Sequence, residues 1–318
     1  MVGCVVLNFN DSKTTIELLN RMKNMKSIDV IVVVDNCSTD DSFSVLKQYT
    51  SKKIQVIQSE KNGGYGYGNN CGISFLKKNF DCDYILIANP DVIFEENVIQ
   101  KMKDAFDEET VIVAPLTLDA KGNRQLPIAW KVPTIKDYYL FSSILFNKIF
   151  HSLDYPKDFY NQSVCYVDCV QGSFFMIRSC LIENKLYDEN IFLFFEESCI
   201  GKKFKDLGYK TKLLMDVDYI HNHSVSINKV FHSEAKKRKM TLDSFYTYFS
   251  DFYTLSRFQK KIMKAYKKMI YLENYVLLNV NVNIKFTNST NIKVTSLTNV
   301  YTPSSDESLS SLVRSFVR

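Results

Sequence analysis

The chain has 318 residues, of which 46% are hydrophobic and 24% charged, with a formal net charge of +5 at pH 7. This composition is too apolar for a disordered protein and is sufficient for one large domain with an appendage. No run of about 18 uninterrupted apolar residues occurs, which excludes a membrane-spanning helix, and the eight cysteines include no C-x-x-C pair typical of zinc or redox sites.

The N-terminus runs directly into the strand-like Val5-Val6-Leu7. It lacks the basic region, apolar core and small-residue cleavage site of a signal peptide. We therefore expect a cytoplasmic protein whose cysteine thiols stay reduced and lie buried as small hydrophobic side chains.

Predicted strands and helices alternate through the first half of the chain. Short apolar runs predict strands at Val5–Leu7, Val30–Val34, Ile54–Ile57, Tyr84–Ala88 and Val111–Ala114. Amphipathic stretches predict helices at Thr14–Met22, Asp41–Tyr49, Asn69–Asn79 and Glu95–Phe106. Strict alternation predicts an α/β fold with a Rossmann-like, mainly parallel central sheet and helices on both faces.

Polar residues follow each of the first four predicted strands: Asn8, Asp35, the loop 62–70, and Asn89-Pro90-Asp91. Ligands of parallel sheets bind beyond the carboxyl ends of the strands, so we expect these four tips to share one crevice. Asp91 follows a buried strand and a proline, and its oxygens are predicted to face a divalent cation. An ordinary turn is the alternative for Asn-Pro-Asp.

The glycine-rich loop differs from a dinucleotide-binding loop. Counting from Gly64, the last glycine of G-x-G-x-x-G falls on Asn69, and counting from Gly66 it falls on Cys71. The loop also follows the third strand rather than the first, so a dehydrogenase is disfavoured. Glycines here instead permit close approach of the backbone to a ligand, with helix amides facing phosphate.

The segment Tyr138–Phe150 is apolar on much of its circumference. Three interpretations remain open for it: a lid over the crevice, a helix on a membrane surface, and an ordinary core-packing helix.

Two further clusters carry candidate chemistry. Glu196 and Glu197 end an aromatic run, where their pKa values should separate and leave one carboxylate able to accept a proton from an alcohol. A simple helix start is the alternative. His221-Asn222-His223 follows the strand-like Thr211–Met215 and holds two of the four histidines of the chain.

The C-terminal third is strongly basic. Residues 229–270 hold eleven Lys or Arg residues against three acids, together with many tyrosines and phenylalanines. Basic helices with aromatic faces bind anionic membranes or nucleic acid, and a solvated helix is the alternative. From Asn279 onward Asn, Thr, Ser and Val dominate, and no chemistry is evident there.

Together these motifs resemble glycosyltransferase family 2 with the GT-A fold, in the rhamnosyltransferase-like branch that builds bacterial capsule and cell-surface polysaccharides. The resemblance covers about residues 2–225. The matching segments are Val5–Asn10, Val33–Asp40, Asn62–Asn70, Asn89–Asp91, Gly172–Arg178, Phe195–Glu197 continuing to Tyr209, and His221–His223.

The resemblance implies roles on the donor side of a nucleotide-sugar site. The implied nucleotide-sugar-binding residues are Asn8, Asp35, Gly64, Asn69 and Asn89, with Asp35 on the base. Asp91 would bind Mg or Mn bridging the two phosphates, with His221 as the late metal ligand and His223 as second choice. A neutral Asn89 occupies the first acidic place of the family's Asp-x-Asp motif, which weakens that cation site.

On the acceptor side, Glu197 lies at the place of the family's catalytic base, and Glu196 would orient it or bind acceptor. The implied reaction is one inverting displacement. On this side the chain departs from many relatives, because Cys199 and Lys203 stand where those proteins carry an acid and an arginine. A sugar nucleotidyltransferase should instead show a basic, Gly-rich loop after the first strand, where this chain has Asn8-Phe9-Asn10-Asp11.

We therefore expect a GT-A domain over residues 1–225, a basic aromatic helical extension over 226–275, and a tail over 276–318. The expected partners are a nucleotide-sugar donor (dTDP-rhamnose or a UDP-hexose), a lipid-linked polysaccharide acceptor and the anionic inner face of the cell membrane, without nucleic acid. A homodimer is left open. The alternative function is a catalytically inactive glycan- or nucleotide-sugar-binding subunit.

Overall fold

A computed structural model of the chain describes residues 1–144, 153–222, 234–279, 284–287 and 291–294. The chain divides into two compact units, one of Met1–Pro133 with Leu153–Val230 and the other of Thr134–Ser152 with Phe231–Arg318. Among the described residues, no helix combines the length and hydropathy needed to cross a bilayer.

The N-terminal part of the first unit alternates strands and helices, as the sequence predicts. Its strands are β1 (Val2–Asn8), β2 (Val30–Asp35), β3 (Ile54–Gln58), β4 (Tyr84–Ala88), β5 (Val92–Ile93), β6 (Thr110–Leu118), β7 (Val164–Val167), β8 (Phe174–Arg178) and β9 (Lys210–His221). Its α-helices are α1 (Ser12–Met22), α2 (Ser42–Lys47), α3 (Tyr65–Asn79), α4 (Glu96–Asp104) and, named α6 in chain order, Glu196–Asp206.

These strands form one mixed sheet in the order β3-β2-β1-β4-β8-β6-β9-β5, with β7 also paired to β9. The first four strands in that order run parallel, and β6 and β9 are parallel to each other. The strand β8 is antiparallel to both β4 and β6, and β5 is antiparallel to the end of β9. The predicted α/β class with a mainly parallel central sheet is confirmed.

Burial explains why β1 and β2 read as continuous apolar runs. Val5 and Val32 belong to a hydrophobic cluster on one face of the sheet, whereas Val6 and Val33 belong to the cluster on the other face. All four side chains are buried. A strand covered on both faces gains from apolar residues at every position rather than at alternate ones.

Several element boundaries differ from the predictions, for example that of β6, which continues past the predicted Ala114 to Leu118. The helix expected over Asn69–Asn79 begins four residues earlier, at Tyr65, so most of the glycine-rich loop forms its first turn. The strand expected over Thr211–Met215 continues to His221.

The second unit contains α5 (Ile135–Ser142), α7 (Glu234–Phe252), α8 (Arg257–Asn279) and a hairpin of β10 (Ile284–Thr287) and β11 (Asn291–Val294). A capping box between Thr134 and Asp137 starts α5. Tyr138 on α5 is fully buried, and its ring contacts Phe245 and Phe249 on α7. The core-packing interpretation therefore holds for this helix, while residues 145–150 of the predicted segment lie outside the described residues.

All eight cysteines are free thiols, and five of them are buried. Cys37 and Cys71 are partly exposed and Cys180 is exposed, so these three differ from the expectation of uniform burial.

Candidate active site

Asn8 and Asp35 join the tips of β1 and β2. The Asn8 side-chain amide donates to Asp35 Oδ1 at 2.9 Å. The other donors to this carboxylate are the Ser38 amide at 3.0 Å, the Ser38 hydroxyl at 2.6 Å and the Gln58 amide at 3.1 Å. A carboxylate has about four acceptor sites. Asp35 is fully buried and satisfied within the protein, so contact with a nucleotide base requires one of these donors to give way.

Gly64 joins the third strand tip to a distant segment. Its φ is +95°, and a Cβ there would lie 2.2 Å from the carbonyl oxygen of Phe192. The Tyr65 amide donates to the same carbonyl at 2.9 Å, so it is already engaged within the protein. The Asn36 side-chain amide donates to the Gly64 carbonyl at 3.1 Å. The glycine-rich turn thus lies directly on the chain that leads to Glu196.

The side chain of Asn69 faces its own helix. Its amide donates to the Tyr65 carbonyl at 3.1 Å, and the residue is buried. The neighbouring Asn70 holds the 186–189 segment by donating to the Tyr187 carbonyl at 3.0 Å. Asn70 therefore ties the loop to the rest of the unit, whereas Asn69 stabilises the first turn of its own helix.

Tyr65 connects the fourth strand tip to the segment beside Glu197. Its hydroxyl lies 2.8 Å from Asn89 Oδ1 and 2.9 Å from the Gly172 carbonyl oxygen. A Cβ added to Gly172 would lie 2.5 Å from Glu197 Oε1, so this glycine packs directly against that carboxylate. The contacts Asn89–Tyr65–Gly172–Glu197 place the predicted donor side and the predicted base in one region.

Asp91 and His221 are brought together by the short antiparallel pairing of β5 with β9, in which Val92 lies opposite His221. Asp91 Oδ1 is 3.3 Å from His221 Nε2, and both side chains are at least 93% buried. The Asn222 amide donates to the Asp91 carbonyl at 3.0 Å. His223, the second choice, lies outside the described residues.

This pair fits a divalent cation only in part. Carboxylate oxygen and imidazole nitrogen are both competent ligands. Among the described residues no group of three or more His, Cys, Asp or Glu side chains converges on a metal position. Mg²⁺ is commonly held by one or two carboxylates together with the phosphates of a substrate. Asp91 and His221 therefore fit a cation that arrives with a diphosphate.

Glu196 and Glu197 begin α6 immediately after a strained turn. Phe194 and Phe195 have φ values of 71° and 72°, and a non-glycine residue in this left-handed region is uncommon and costs about 1 kcal/mol or more. Two such residues in succession turn the chain sharply into the helix. Strain of this kind concentrates at functional sites.

The two glutamates differ in their surroundings. Glu196 is 4% exposed, and within the described residues its Oε1 accepts no hydrogen bond. Burial, reinforced by the charge of Glu197, raises the pKa of Glu196 well above its usual range. Burial also raises the pKa of Glu197, but the backbone amides of Glu197 and Gly172 oppose this shift. When the pair holds one proton, we place it on Glu196 and leave Glu197 ionised.

Tyr219 lies within electrostatic reach of both halves of the site. Its hydroxyl lies 2.7 Å from the Ser173 hydroxyl, and Thr117 donates to it at 2.9 Å. Burial raises the pKa of Tyr219 to about 12; those two hydrogen bonds lower it, whereas the charges of Asp91 and Glu197 raise it further. The Tyr219 hydroxyl thus ties β6 and β9 to the segment that follows Gly172.

Sequence reasoning missed Tyr65 and Tyr219 as site residues. Tyr65 stands in the glycine-rich loop, where the alternating glycines are the stronger sequence signal. Tyr219 follows Asp218 in an alternating strand and carries no signal by itself. Trp130, the single tryptophan, was also missed; its indole donates to Ser198, the residue after Glu197, at 3.1 Å.

The model of the family described as Glycosyl transferase family 2 matches residues 4–180, which is more than half of the chain. Low-salt glycan biosynthesis hexosyltransferase Agl10 of Haloferax volcanii is 26% identical over 227 residues, covering 70% of this chain and 68% of Agl10. Poly(ribitol-phosphate) beta-N-acetylglucosaminyltransferase TarS of Staphylococcus aureus is 24% identical over 258 residues, covering 80% of this chain but 39% of TarS.

Solved structures share the fold at low sequence identity. S. aureus TarS 1-349 in complex with UDP-GlcNAc matches with a TM-score of 0.51 and 16% identity, covering 86% of this chain and 72% of that one. The mannosyltransferase PcManGT from Pyrobaculum calidifontis, in complex with GDP-Man and Mn2+, matches with a TM-score of 0.52 and 13% identity, covering 86% and 73%. These neighbours confirm the predicted GT-A fold.

Proposed function

The chain belongs to glycosyltransferase family 2, and we propose that it transfers a sugar from a nucleotide-sugar donor to a hydroxyl group of an acceptor. One observation carries this proposal: the unbroken path of contacts from Asn89 through Tyr65 and Gly172 to Glu197. It joins the strand tip that carries Asp91 to a partly buried carboxylate. Sugar transfer needs a base near the diphosphate side of the donor, and this path supports that arrangement.

In the proposed reaction, Glu197 takes the proton of the acceptor hydroxyl as its oxygen attacks the anomeric carbon. The new bond forms as the bond between the anomeric carbon and the diphosphate breaks, so the configuration inverts. Glu196 keeps its own proton, because burial raises its pKa well above the usual range. The neutral Glu196 therefore places no second negative charge beside Glu197. The Gly172 amide orients Glu197 and favours its ionised form.

On the donor side, we assign the nucleotide and diphosphate to the crevice bounded by Asn8, Asp35, Gly64, Asn69 and Asn89. Asp35 and Asn69 act mainly by fixing the loops, since their side chains are engaged within the protein. Asp91 and His221 would hold Mg²⁺ or Mn²⁺. A bound cation would neutralise charge on the leaving diphosphate, and the Mn2+ in the PcManGT complex supports this assignment.

The donor is proposed to be dTDP-rhamnose or a UDP-hexose. Rhamnose follows from the branch that the sequence resembles, and the UDP-GlcNAc bound by TarS supports a UDP-sugar. Incubation of the purified protein with a panel of nucleotide sugars, followed by measurement of released nucleoside diphosphate, distinguishes them. One donor hydrolysed well above the others identifies the sugar, and release from none of them contradicts sugar transfer.

The acceptor is proposed to be a lipid-linked oligosaccharide or polysaccharide of the cell surface, elongated at the inner face of the membrane. The charge distribution supports this location, since residues 229–270 carry a large basic surplus. We assign transfer to the first unit and peripheral attachment to the basic helices of the second.

A catalytically inactive, sugar-binding subunit is the competing proposal, and Asn89 in place of an acid favours it. Titration of UDP and dTDP with and without Mn²⁺, followed by turnover assays on Asp91→Ala and Glu197→Gln, separates the two. An enzyme loses turnover in both variants and loses nucleotide affinity mainly in Asp91→Ala. A binding subunit shows no turnover to lose.

A further inference from the structure

The helix α8 carries a row of exposed apolar side chains. Phe258, Ile262, Met269 and Leu272 are 72%, 43%, 55% and 57% exposed. Their spacings of four, seven and three residues place them on one face of the helix. Isolated exposed apolar residues are ordinary. A row of them along most of a helix indicates a surface that contacts a membrane or another molecule.

The opposite face of α8 is anchored within the second unit. Met263 and Ile270 are buried, the Tyr138 hydroxyl donates to the Met263 carbonyl at 3.1 Å, and the Tyr266 hydroxyl donates to the Tyr139 carbonyl at 2.6 Å. These contacts fix the rotation of α8 about its axis. The exposed row therefore points outward because of packing within the unit.

The aromatic residues that the sequence suggested for membrane contact are mostly unavailable. Phe245, Tyr248 and Phe249 on α7 are buried and pack ring against ring. They form the core of the second unit. Phe258 is the member of that aromatic set that lies strongly exposed on α8.

Positive charge lies beside the exposed row. Lys260, Lys261, Lys264 and Lys268 are exposed, and α8 as a whole holds six basic residues against the single acid Glu273. Lys261 and Lys268 directly precede Ile262 and Met269, so they border the row along its length. An apolar stripe with lysines at its edge is the pattern of a helix lying in the interface of an anionic membrane.

We propose that the outward face of α8, defined by Phe258, Ile262, Met269 and Leu272 with the bordering lysines, is the surface through which the protein lies on anionic phospholipid. Anionic headgroups complement the lysines, whereas a second copy of the same face would bring like charges together. The proposal rests on the proposed function, because a lipid-linked acceptor requires the enzyme at the membrane.

Flotation of the full chain with vesicles tests this surface. One set contains phosphatidylglycerol with phosphatidylcholine, and the other contains phosphatidylcholine alone. The unaltered protein should float with the anionic set and be released by high salt, since the Debye length shortens to about 3 Å at 1 M. The variant Ile262→Ser with Met269→Ser should lose at least about tenfold in vesicle affinity. Leu207→Ser, which replaces a leucine that is 62% exposed on the first unit, is the control.

The outcomes separate this surface from the proposed function. Hydrolysis of a soluble nucleotide sugar should be equal in the Ile262→Ser, Met269→Ser variant and in the unaltered protein. Absence of hydrolysis in both proteins counts against the proposed sugar transfer and leaves the lipid surface unaffected. Failure of the unaltered protein to float, or equal flotation by the variant, overturns the lipid surface. A dimer that the same variant dissociates, without vesicle binding, assigns the face to self-association and also overturns it.

A separate observation concerns the hydrogen bonds of Tyr65. Its single hydroxyl proton faces two carbonyl oxygens, Asn89 Oδ1 at 2.8 Å and Gly172 O at 2.9 Å. One proton satisfies one acceptor. If Tyr65 donates to Gly172, a half-turn of the Asn89 amide lets its N–H group donate to the phenol oxygen and frees its carbonyl oxygen from Tyr65.

We infer that Tyr65 is a positioning residue that sets which atom of the Asn89 amide is presented to the diphosphate and its cation. The amide has two unlike ends, so its orientation decides whether the site offers an acceptor or a donor. A carboxylate at the same position has two equivalent oxygens and cannot be turned the wrong way. The inference rests on the proposed donor site.

Binding of UDP and dTDP with Mn²⁺, measured by calorimetry, tests this role in a double-mutant cycle. Tyr65→Phe should weaken nucleotide binding by about tenfold when Asn89 is present and by much less in the Asn89→Asp background. A purely structural role of the phenol predicts the same loss in both backgrounds, and that result overturns the inference. If neither nucleotide binds the unaltered protein, the proposed donor site fails instead.

Discussion

Asp91 and His221, 130 positions apart in the chain, lie with Oδ1 and Nε2 3.3 Å from each other at the end of the central sheet. The pairing of β5 with the last residues of β9 creates this contact. We expect Asp91→Asn to weaken the Mn²⁺-dependent part of nucleoside diphosphate binding by at least about tenfold, because one charged ligand is lost.

Calorimetry with UDP and dTDP, with Mn²⁺ and then with EDTA, measures this change. Asp218→Asn is the matched control, since Asp218 is an exposed carboxylate on the same strand as His221. Equal affinity with and without the cation in the unaltered protein contradicts the cation site.

Glu197→Gln should lower kcat by about 10² to 10⁴, the usual contribution of a general base, with little change in donor affinity. Glu196→Gln should lower it far less and leave the acid limb of the pH–rate profile nearly unmoved, because Glu196 is already protonated when Glu197 titrates. That limb should lie above the ordinary glutamate pKa, since burial raises the pKa of Glu197. Equal losses of kcat in the two variants would contradict the assignment of different roles to Glu196 and Glu197.

The raised pKa of Glu196 also predicts a pH-dependent effect on stability. A carboxyl group whose pKa is higher in the folded state binds its proton more tightly there, so its ionisation opposes folding. The penalty is absent below the unfolded pKa, grows as pH rises from the unfolded pKa to the folded one, and stays constant above it. Glu196→Gln should therefore raise the melting temperature at neutral and alkaline pH and leave it unchanged near pH 4. A uniform shift across pH argues against a buried, titrating Glu196.

Gly64→Ala should destabilise the protein more than Gly122→Ala does. Both glycines have positive φ, of +95° and +80°, so alanine strains the backbone at each by about 1 kcal/mol. Around Gly122 there is open space, whereas the new Cβ at position 64 would meet the Phe192 carbonyl. Urea denaturation gives the two free energies of unfolding. Equal values would show that the Phe192 segment moves away freely.

Cys180 should react first with a thiol reagent such as DTNB. It is exposed, whereas burial raises the pKa of Cys4, Cys169 and Cys199 and leaves them little thiolate. Peptide mapping after brief labelling measures the order. Early labelling of Cys169 or Cys199 in the folded protein would contradict the packing around Glu197.

The sequence predicts the fold well because local signals agree with the tertiary structure. Apolar runs such as Val30–Val34 are buried on both faces, and the helices between them show clear amphipathic periodicity. The start of α3 was misplaced because glycine normally opposes helix formation, and the close approach of Gly66 and Gly68 to Tyr187 and Leu7 overrides that preference.

The candidate site is indicated by the sequence where chemistry is concentrated in short motifs, as at Asn89–Asp91 and Glu196-Glu197, whose roles stay predictions. It was not predictable where the role depends on burial. Asp35 looks available for a ligand in sequence, yet four donors from three residues converge on it. Tyr65 lies 107 positions from Gly172, and no local pattern reports such a contact.

The contact between Gly64 and the Phe192 carbonyl has a consequence for inhibitor discovery. A compound that inserts beneath the glycine turn must displace the Phe192 segment that leads into α6, and would therefore move Glu197, the proposed proton acceptor, without contacting it. Such an inhibitor would compete with the nucleotide sugar for binding and would also lower the rate of the proposed chemical step.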